Sequence, residues 1–133
     1  MNQTLNNYAI AVAEGDKASL AATFATNVKI MQPAGNQPID GVGKAATMLS
    51  AALIAIENFK LVRTFEKEEN WGAVVFEGQL DGNVVQLIDQ VYLDENNLIN
   101  HVDVFFRPTA MAEMLLDKMA AAIQLQASKA LIA

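Results

Sequence analysis

Two long runs of alternating residues, each preceded by a short polar turn, constrain the fold of this chain more than any other feature. Residues 83–93 follow Asp81-Gly82, and residues 98–107 follow Asn96-Asn97. Side chains of a strand point alternately to its two faces, so such runs predict strands with one buried face. Asp-Gly and Asn-Asn pairs are typical of tight turns. The stretch therefore predicts an antiparallel meander of long strands.

Helical spacing dominates the N-terminal part of the chain. Leu5, Tyr8 and Val12 recur on one face of a first helix that ends near Gly15. Asp16 then predicts the cap of a short second helix through Leu20 and Phe24.

The middle of the chain predicts a strand, a helix and a hairpin. "NVKIMQ" alternates up to Pro33, so Val28, Ile30 and Gln32 share one face. A third helix is predicted over about 43–57, with a buried stripe comprising Met48, Leu49, Ala52, Leu53 and Ile56. Residues 58–67 and 71–80 predict a hairpin around Glu69-Asn70. A C-terminal helix opens at Pro108 and Thr109, and its stripe comprises Met111, Met114, Leu115, Met119, Ala122 and Ile123. The fold class is therefore α+β, with helices packed against one curved sheet.

Composition narrows the classes of function. The 133 residues predict a single domain, and 53% hydrophobic against 18% charged residues predicts an inner pocket, an oligomer interface or both. The net charge of −6 makes nucleic acid and anionic membranes poor partners. Without cysteine and with a single histidine, we expect no metal site and no cofactor. The N-terminus lacks the basic patch of a secretory signal, and no apolar run is long enough for a membrane span, so a cytoplasmic location is expected.

Asp89 is the most informative polar residue of the meander. It shares a strand face with Val85, Leu87, Val91 and Leu93, which are all apolar. The alternation therefore turns this carboxyl group toward the core. A carboxyl group in that position must be hydrogen-bonded, protonated or both, because a buried and unpaired charge is costly.

The last strand carries a second candidate pair, His101 and Asp103. Val102, Val104 and Phe106 form an apolar face of this strand, while Ile99, His101, Asp103 and Phe105 share the other. The pair is therefore predicted on the outer face of the sheet. A bulge near Asn100 would shift the register by one residue and reverse that conclusion.

Taken together, the sequence resembles the nuclear transport factor 2-like superfamily, in its SnoaL-like and ketosteroid isomerase-like branch. The resemblance rests on the "EGD" hairpin, the "QPAGNQP" loop, the glycine-led third helix and "LIDQVYLDENNLINHVDVFFRP", and it covers residues 3–108. It implies one cone-shaped domain over residues 1–133, in which a curved, mixed, mostly antiparallel sheet wraps around the N-terminal helices. An extra C-terminal helix is expected over residues 109–133. The resemblance further implies a deep apolar pocket and homodimers that pair through the outer sheet face.

The resemblance also implies candidate site residues. Tyr8 matches the oxyanion-binding tyrosine of the isomerase, and Asp89 matches its protonated aspartic acid, which stays neutral so that it can donate a hydrogen bond. Gln32 stands where the isomerase has its general base, and an amide cannot shuttle protons at neutral pH. "HVDV" is similar to an acid–base run of some SnoaL-like proteins, although the family positions fall on Val102 and Val104.

Three functions remain open on the sequence alone. The chain could bind a small apolar molecule in the cone, with Asp89 and Tyr8 as polar contacts. It could be an isomerase, cyclase or dehydratase acting on a carbonyl compound, with Asp89 and Tyr8 as catalytic candidates. It could also be a structural dimerisation domain whose own side chains fill the pocket. The predicted ligand-binding or filling residues are Gln32, Val74, Phe76, Val91, Val102, Val104 and Phe106.

Overall fold

The computed structural model describes residues 2–68 and 70–132, with side chains through residue 129. The first half of the chain contains α1 (Gln3–Glu14), α2 (Lys17–Ala21), β1 (Phe24–Met31), β2 (Ile39–Asp40), α3 (Val42–Ser50) and α4 (Ala52–Ala55). The second half contains β3 (Glu57–Glu66), β4 (Trp71–Leu80), β5 (Asn83–Leu93), β6 (Ile99–Arg107), a 3₁₀ turn (Thr109–Met111) and α5 (Ala112–Ile132).

The strands form one mixed six-stranded sheet in the order β2-β1-β6-β5-β4-β3. Strand β1 runs parallel to β6, and the other neighbours are antiparallel. Register shifts interrupt the β1–β6, β3–β4 and β5–β6 ladders, and such bulges bend a sheet. The helices pack on the inner face of this bent sheet and share one hydrophobic core with it. The predicted α+β architecture, including the additional C-terminal helix, is confirmed.

The meander is where the sequence predicted the structure best. Strand β5 spans the predicted residues 83–93 and alternates between buried and more exposed side chains. Asp81 and Gly82 both have positive φ, at 53° and 81°, which is the conformation of a tight type I′ hairpin turn. Asn97 is also left-handed, with φ of 60°. Glu69, predicted in the turn of the preceding hairpin, lies outside the described residues.

Two helix predictions are wrong in their extent. The second helix ends at Ala21, and Phe24 instead begins β1, where it pairs with Ile99 of β6. The predicted third helix is two helices, since a turn at Ala51 separates α3 from α4. Leu53, predicted on the buried stripe, is 40% exposed. Neither break carries a proline or glycine signal, so tertiary packing decides both.

The face assigned to Ile99 is also wrong. Tyr92 pairs with His101 but Leu93 pairs with Ile99, so Asn100 is an extra residue in β6. This bulge turns Ile99 into the core, where it is fully buried. The shift ends before His101, which therefore keeps the predicted outer orientation.

Glycines let the helices approach β4 closely. A Cβ atom added at Gly72 would lie 2.4 Å from Cδ2 of Leu5 and 2.8 Å from the carbonyl oxygen of Phe65. At Gly78 the same atom would lie 2.3 Å from Cγ2 of Ile56. Both glycines occupy the buried face of β4, so the absence of a side chain allows α1 and the end of α4 to reach the sheet.

Within the described residues, no helix is both long enough and apolar enough to cross a membrane.

Candidate active site

Asp89 lies on the inner face of β5, as its neighbours in sequence predict. Its partners across the sheet are Val74 of β4 and Val104 of β6, both buried. Its own exposure is 2%, so its carboxyl group is removed from solvent. A polar group in such surroundings needs hydrogen bonds, and its partners determine what chemistry it can perform.

Tyr8 supplies one of those partners from α1. Its hydroxyl group donates a 2.7 Å hydrogen bond to Oδ2 of Asp89, and both groups are buried. The ring is fully buried and lies 6.2 Å from the ring of Phe24, centroid to centroid. The predicted proximity of Tyr8 and Asp89 is therefore present in the folded chain.

Burial shifts the pKa values of both groups upward. Desolvation raises the pKa of Asp89 to about 7, against the opposing effect of the hydrogen bond from Tyr8. Desolvation, together with the charge of Asp89 and the hydrogen bond to it, raises the pKa of Tyr8 well above 10. Asp89 is consequently protonated in a substantial fraction of molecules near neutral pH, and Tyr8 remains a donor.

The second carboxyl oxygen of Asp89, Oδ1, has no hydrogen-bond partner although it is buried. Asp89 borders a cavity of about 50 Å³ between the sheet, α3, α4 and α5. Among the described residues that line it, Asp89 alone is ionisable; the others are Val12, Gln32, Pro33, Met48, Leu49, Ala52, Phe59, Phe76, Leu87, Val104, Leu115, Leu116 and Met119. A neutral carboxyl group here can donate from one oxygen while it accepts from Tyr8 at the other.

Helix α5 closes one side of this small cavity. Leu115, Leu116 and Met119 of this helix form part of its lining. A volume of about 50 Å³ has room for roughly three or four water molecules, whereas small-molecule sites typically measure about 300–1,000 Å³. The cavity is thus far smaller than the deep pocket that the resemblance implies, and side chains of the C-terminal helix form part of its wall.

The predicted ligand-binding residues fall into two groups. Gln32, Phe76 and Val104 line the cavity beside Asp89. The remaining four do not border it. Val74, Val91 and Val102 are fully buried in the core, and Phe106 is half-buried near the end of β6.

Sequence reasoning missed several lining residues. Leu87 could have been included, because it shares the inner face of β5 with Asp89. Leu115 and Met119 belong to the apolar stripe predicted for the last helix. That stripe indicates a buried helix face but does not show which part of the domain the face covers.

His101 and Asp103 lie on the outer face of the sheet, away from the cavity. The Nε2 atom of His101 is 2.8 Å from Oδ1 of Asp103. The His101 ring packs edge-on against Tyr92, with 5.5 Å between centroids. Among the described residues, no three or more acidic or histidine side chains are grouped as a metal site requires.

No protein-family model matches the sequence, and no curated protein matches it. Solved structures do match the fold. An uncharacterised bacterial protein with a cystatin-like fold from Silicibacter pomeroyi is 25% identical, with a TM-score of 0.86 over 96% of this chain and 90% of that chain.

Two further structures carry names that bear on the fold. A steroid delta-isomerase from Pseudomonas aeruginosa is 19% identical, with a TM-score of 0.80 over 98% of this chain and 93% of its own. An NTF2-like protein of unknown function from Cytophaga hutchinsonii is 15% identical, with a TM-score of 0.61 over 81% of this chain and 90% of its own. At these identities the likeness shows a shared fold.

Proposed function

We propose that this chain, which has the nuclear transport factor 2-like fold of the SnoaL-like and ketosteroid isomerase-like proteins, binds a small apolar molecule through one carbonyl or hydroxyl group. The observation that carries the proposal is the buried and unpartnered Oδ1 atom of Asp89 beside an apolar cavity. A buried polar atom without a partner costs about 1–3 kcal/mol, and a ligand that supplies the partner recovers it.

Tyr8 has a positioning role in this proposal. It does not border the cavity, and its hydroxyl group donates to Oδ2 of Asp89. That bond fixes the carboxyl plane and leaves Oδ1 for the ligand. With Asp89 protonated, Oδ1–H donates to a carbonyl oxygen; the same hydroxyl can also accept from a ligand hydroxyl.

Binding without proton transfer is favoured by the other polar group of the lining. Gln32 lies on the cavity wall, and its amide can hydrogen-bond a ligand but cannot exchange protons with it near neutral pH. A second carboxyl group, which an isomerase of the ketosteroid type needs, is missing from the described lining residues.

A second candidate function is an isomerase, cyclase or dehydratase that uses Asp89 alone as its acid and base. The observation that favours it is the pKa of Asp89, raised to about 7 by burial. A general acid or base acts best when its pKa lies near the working pH. Such an enzyme would remove a proton next to a substrate carbonyl, which simple binding does not do.

Butan-2-one labelled with ¹³C at the carbonyl carbon tests both candidates, because it is a small apolar molecule with a single carbonyl group. We expect a saturable downfield shift of the carbonyl signal at about pH 5, where Asp89 is protonated. Asp89→Leu should abolish the shift, and Asp103→Leu on the outer face should preserve it. Protein-dependent exchange of the α-protons in D₂O, lost in Asp89→Leu, would favour the enzyme. A wild-type protein that produces no saturable shift would favour the structural alternative, a core that needs no ligand.

The outer sheet face supports a second part of the proposal, a homodimer. Val62, Phe65, Ile88 and Phe105 are exposed there, and neighbouring exposed apolar side chains are a feature of interaction surfaces. Arg63, Glu77 and Arg107 lie beside these side chains, at a shallow depression of the outer sheet face. Both charge signs therefore lie on one face, which suits a two-fold contact in which each patch meets its own copy.

A further inference from the structure

The cavity beside Asp89 and a larger groove outside it share part of their walls. The groove measures about 490 Å³ and runs between α3 and α5. Four side chains line both spaces, namely Gln32, Met48, Leu116 and Met119. The outer part of the groove is formed by Ile39, Gly43, Lys44, Thr47, Ala120 and Ile123. These four side chains therefore form the wall between the cavity and the groove.

The separating side chains are suited to movement. Met48 and Met119 are half-buried and unbranched, and methionine changes rotamer at low cost within apolar surroundings. Leu116 is 37% exposed, so its displacement toward solvent does not disrupt the core. The backbone of α3 and α5 can stay in place while these side chains turn.

The volumes indicate what a joined space could hold. The inner cavity alone is far below the size of typical ligand sites, whereas the groove is within their range of about 300–1,000 Å³. The inner end offers one polar atom, Oδ1 of Asp89, that is buried and lacks a partner. The path between them is apolar apart from Gln32.

We infer that Met48 and Met119 form a gate, and that the open gate joins cavity and groove into one channel for an elongated, unbranched molecule. The inference rests on the proposed binding function and names its ligand class. The molecule carries a carbonyl group at one end, which accepts from Asp89. Its hydrocarbon chain passes between the two methionines and lies in the groove against Ile39, Ala120 and Ile123.

A series of straight-chain 2-ketones, from acetone to decan-2-one, tests the channel. Each added methylene should tighten binding about fourfold once the chain enters the groove, because each is removed from water. Met119→Trp should block the gate and reduce the affinity for decan-2-one to that for butan-2-one. Leu125→Trp is the matched control, since Leu125 is exposed on the same helix and does not line either space. Calorimetric titration at about pH 5 gives the affinities.

The outcomes distinguish a failure of the channel inference from a failure of the proposed binding function. If short ketones bind through Asp89 but chain length adds nothing, or Met119→Trp leaves decan-2-one binding unchanged, the channel is wrong and the proposed function stands. If no ketone binds, both are wrong.

Met119→Ala provides a second variant should the tryptophan substitution impair folding. It widens the gate, so decan-2-one should associate faster than with the wild type, and an unchanged association rate would overturn the gate.

Discussion

The hydrogen bond from the Tyr8 hydroxyl group to Oδ2 of Asp89 joins α1 to β5 across 81 residues of sequence. Both groups are buried, the other carboxyl oxygen of Asp89 has no hydrogen-bond partner, and Asp89 lines the cavity that α5 covers. The pair therefore has two effects at once. It fixes the first helix on the sheet, and it orients a buried carboxyl group whose other oxygen has no hydrogen-bond partner.

Replacing Tyr8 by phenylalanine should destabilise the fold and raise the pKa of Asp89 further. The substitution leaves Oδ2 buried without its donor, at a cost of about 1–3 kcal/mol in the free energy of unfolding. The pKa rises because the bond from Tyr8 is what lowers it. Urea unfolding and an NMR titration of the carboxyl carbon measure the two effects. Tyr92→Phe, on the outer sheet face, is the control and should change neither; equal effects of the two substitutions would contradict the prediction.

Asp89 should make the protein less stable as pH rises from about 4 to about 7. Below the ordinary pKa of 3.8 the carboxyl group is protonated in the folded and unfolded chains alike. Between 3.8 and about 7 the folded chain keeps a proton that the unfolded chain has released, so the free energy of unfolding falls with rising pH. Above about 7 both states are ionised, and this group causes no further loss. The total is on the order of 4 kcal/mol.

Asp89→Asn isolates this contribution from that of the other titrating groups. Asparagine does not titrate and can still accept from Tyr8, so the variant should gain stability relative to the wild type across this pH range. Urea unfolding of both proteins at about pH 4, 5.5 and 8 gives the difference. Parallel stability curves for the two proteins would show that the carboxyl group is not buried in the protonated form.

The inward orientation of Asp89 could be predicted because strand alternation is a local property. The alternation within residues 83–93 is enough to predict which side chains face the core, and the turn at Asp81-Gly82 fixes where the strand begins. The contact with Tyr8 needed more than that. Only the resemblance placed the two residues in one site, since no local pattern tells which helix covers which strand.

Other features depend on packing between distant segments and were not predictable in this way. The bulge at Asn100 moved Ile99 inward, although the residues on either side of it alternate regularly. The end of α2 before Phe24 is imposed by pairing of β1 with β6. The size of the cavity depends on where Leu115 and Met119 of α5 lie, which an apolar stripe does not specify.

Alanine at Gly72 should destabilise the protein strongly compared with alanine at Gly35. The new Cβ atom at Gly72 would meet the Leu5 side chain at 2.4 Å and the backbone oxygen of Phe65 at 2.8 Å, and backbone cannot turn away. Overpacking of this kind costs about 1–3 kcal/mol. At Gly35 nothing lies within 4 Å of the added atom, so that variant should be neutral or slightly stabilised. Thermal unfolding of both variants measures the contrast, and similar melting temperatures would exclude the close approach of α1 to β4.

Phe105→Lys should convert a dimer into monomers without unfolding the chain. Phe105 is 53% exposed on the outer sheet face and contributes little to the monomer core. In a two-fold contact each substitution appears twice, so the variant places two new charges in one desolvated patch. Sedimentation velocity over a range of concentrations measures the state of association. Leu125→Lys is the control, because Leu125 is 48% exposed on α5, outside this face, and should leave association unchanged. A wild-type protein that sediments as a monomer at high concentration would refute the dimer, whereas a dimer that survives Phe105→Lys would place the interface elsewhere.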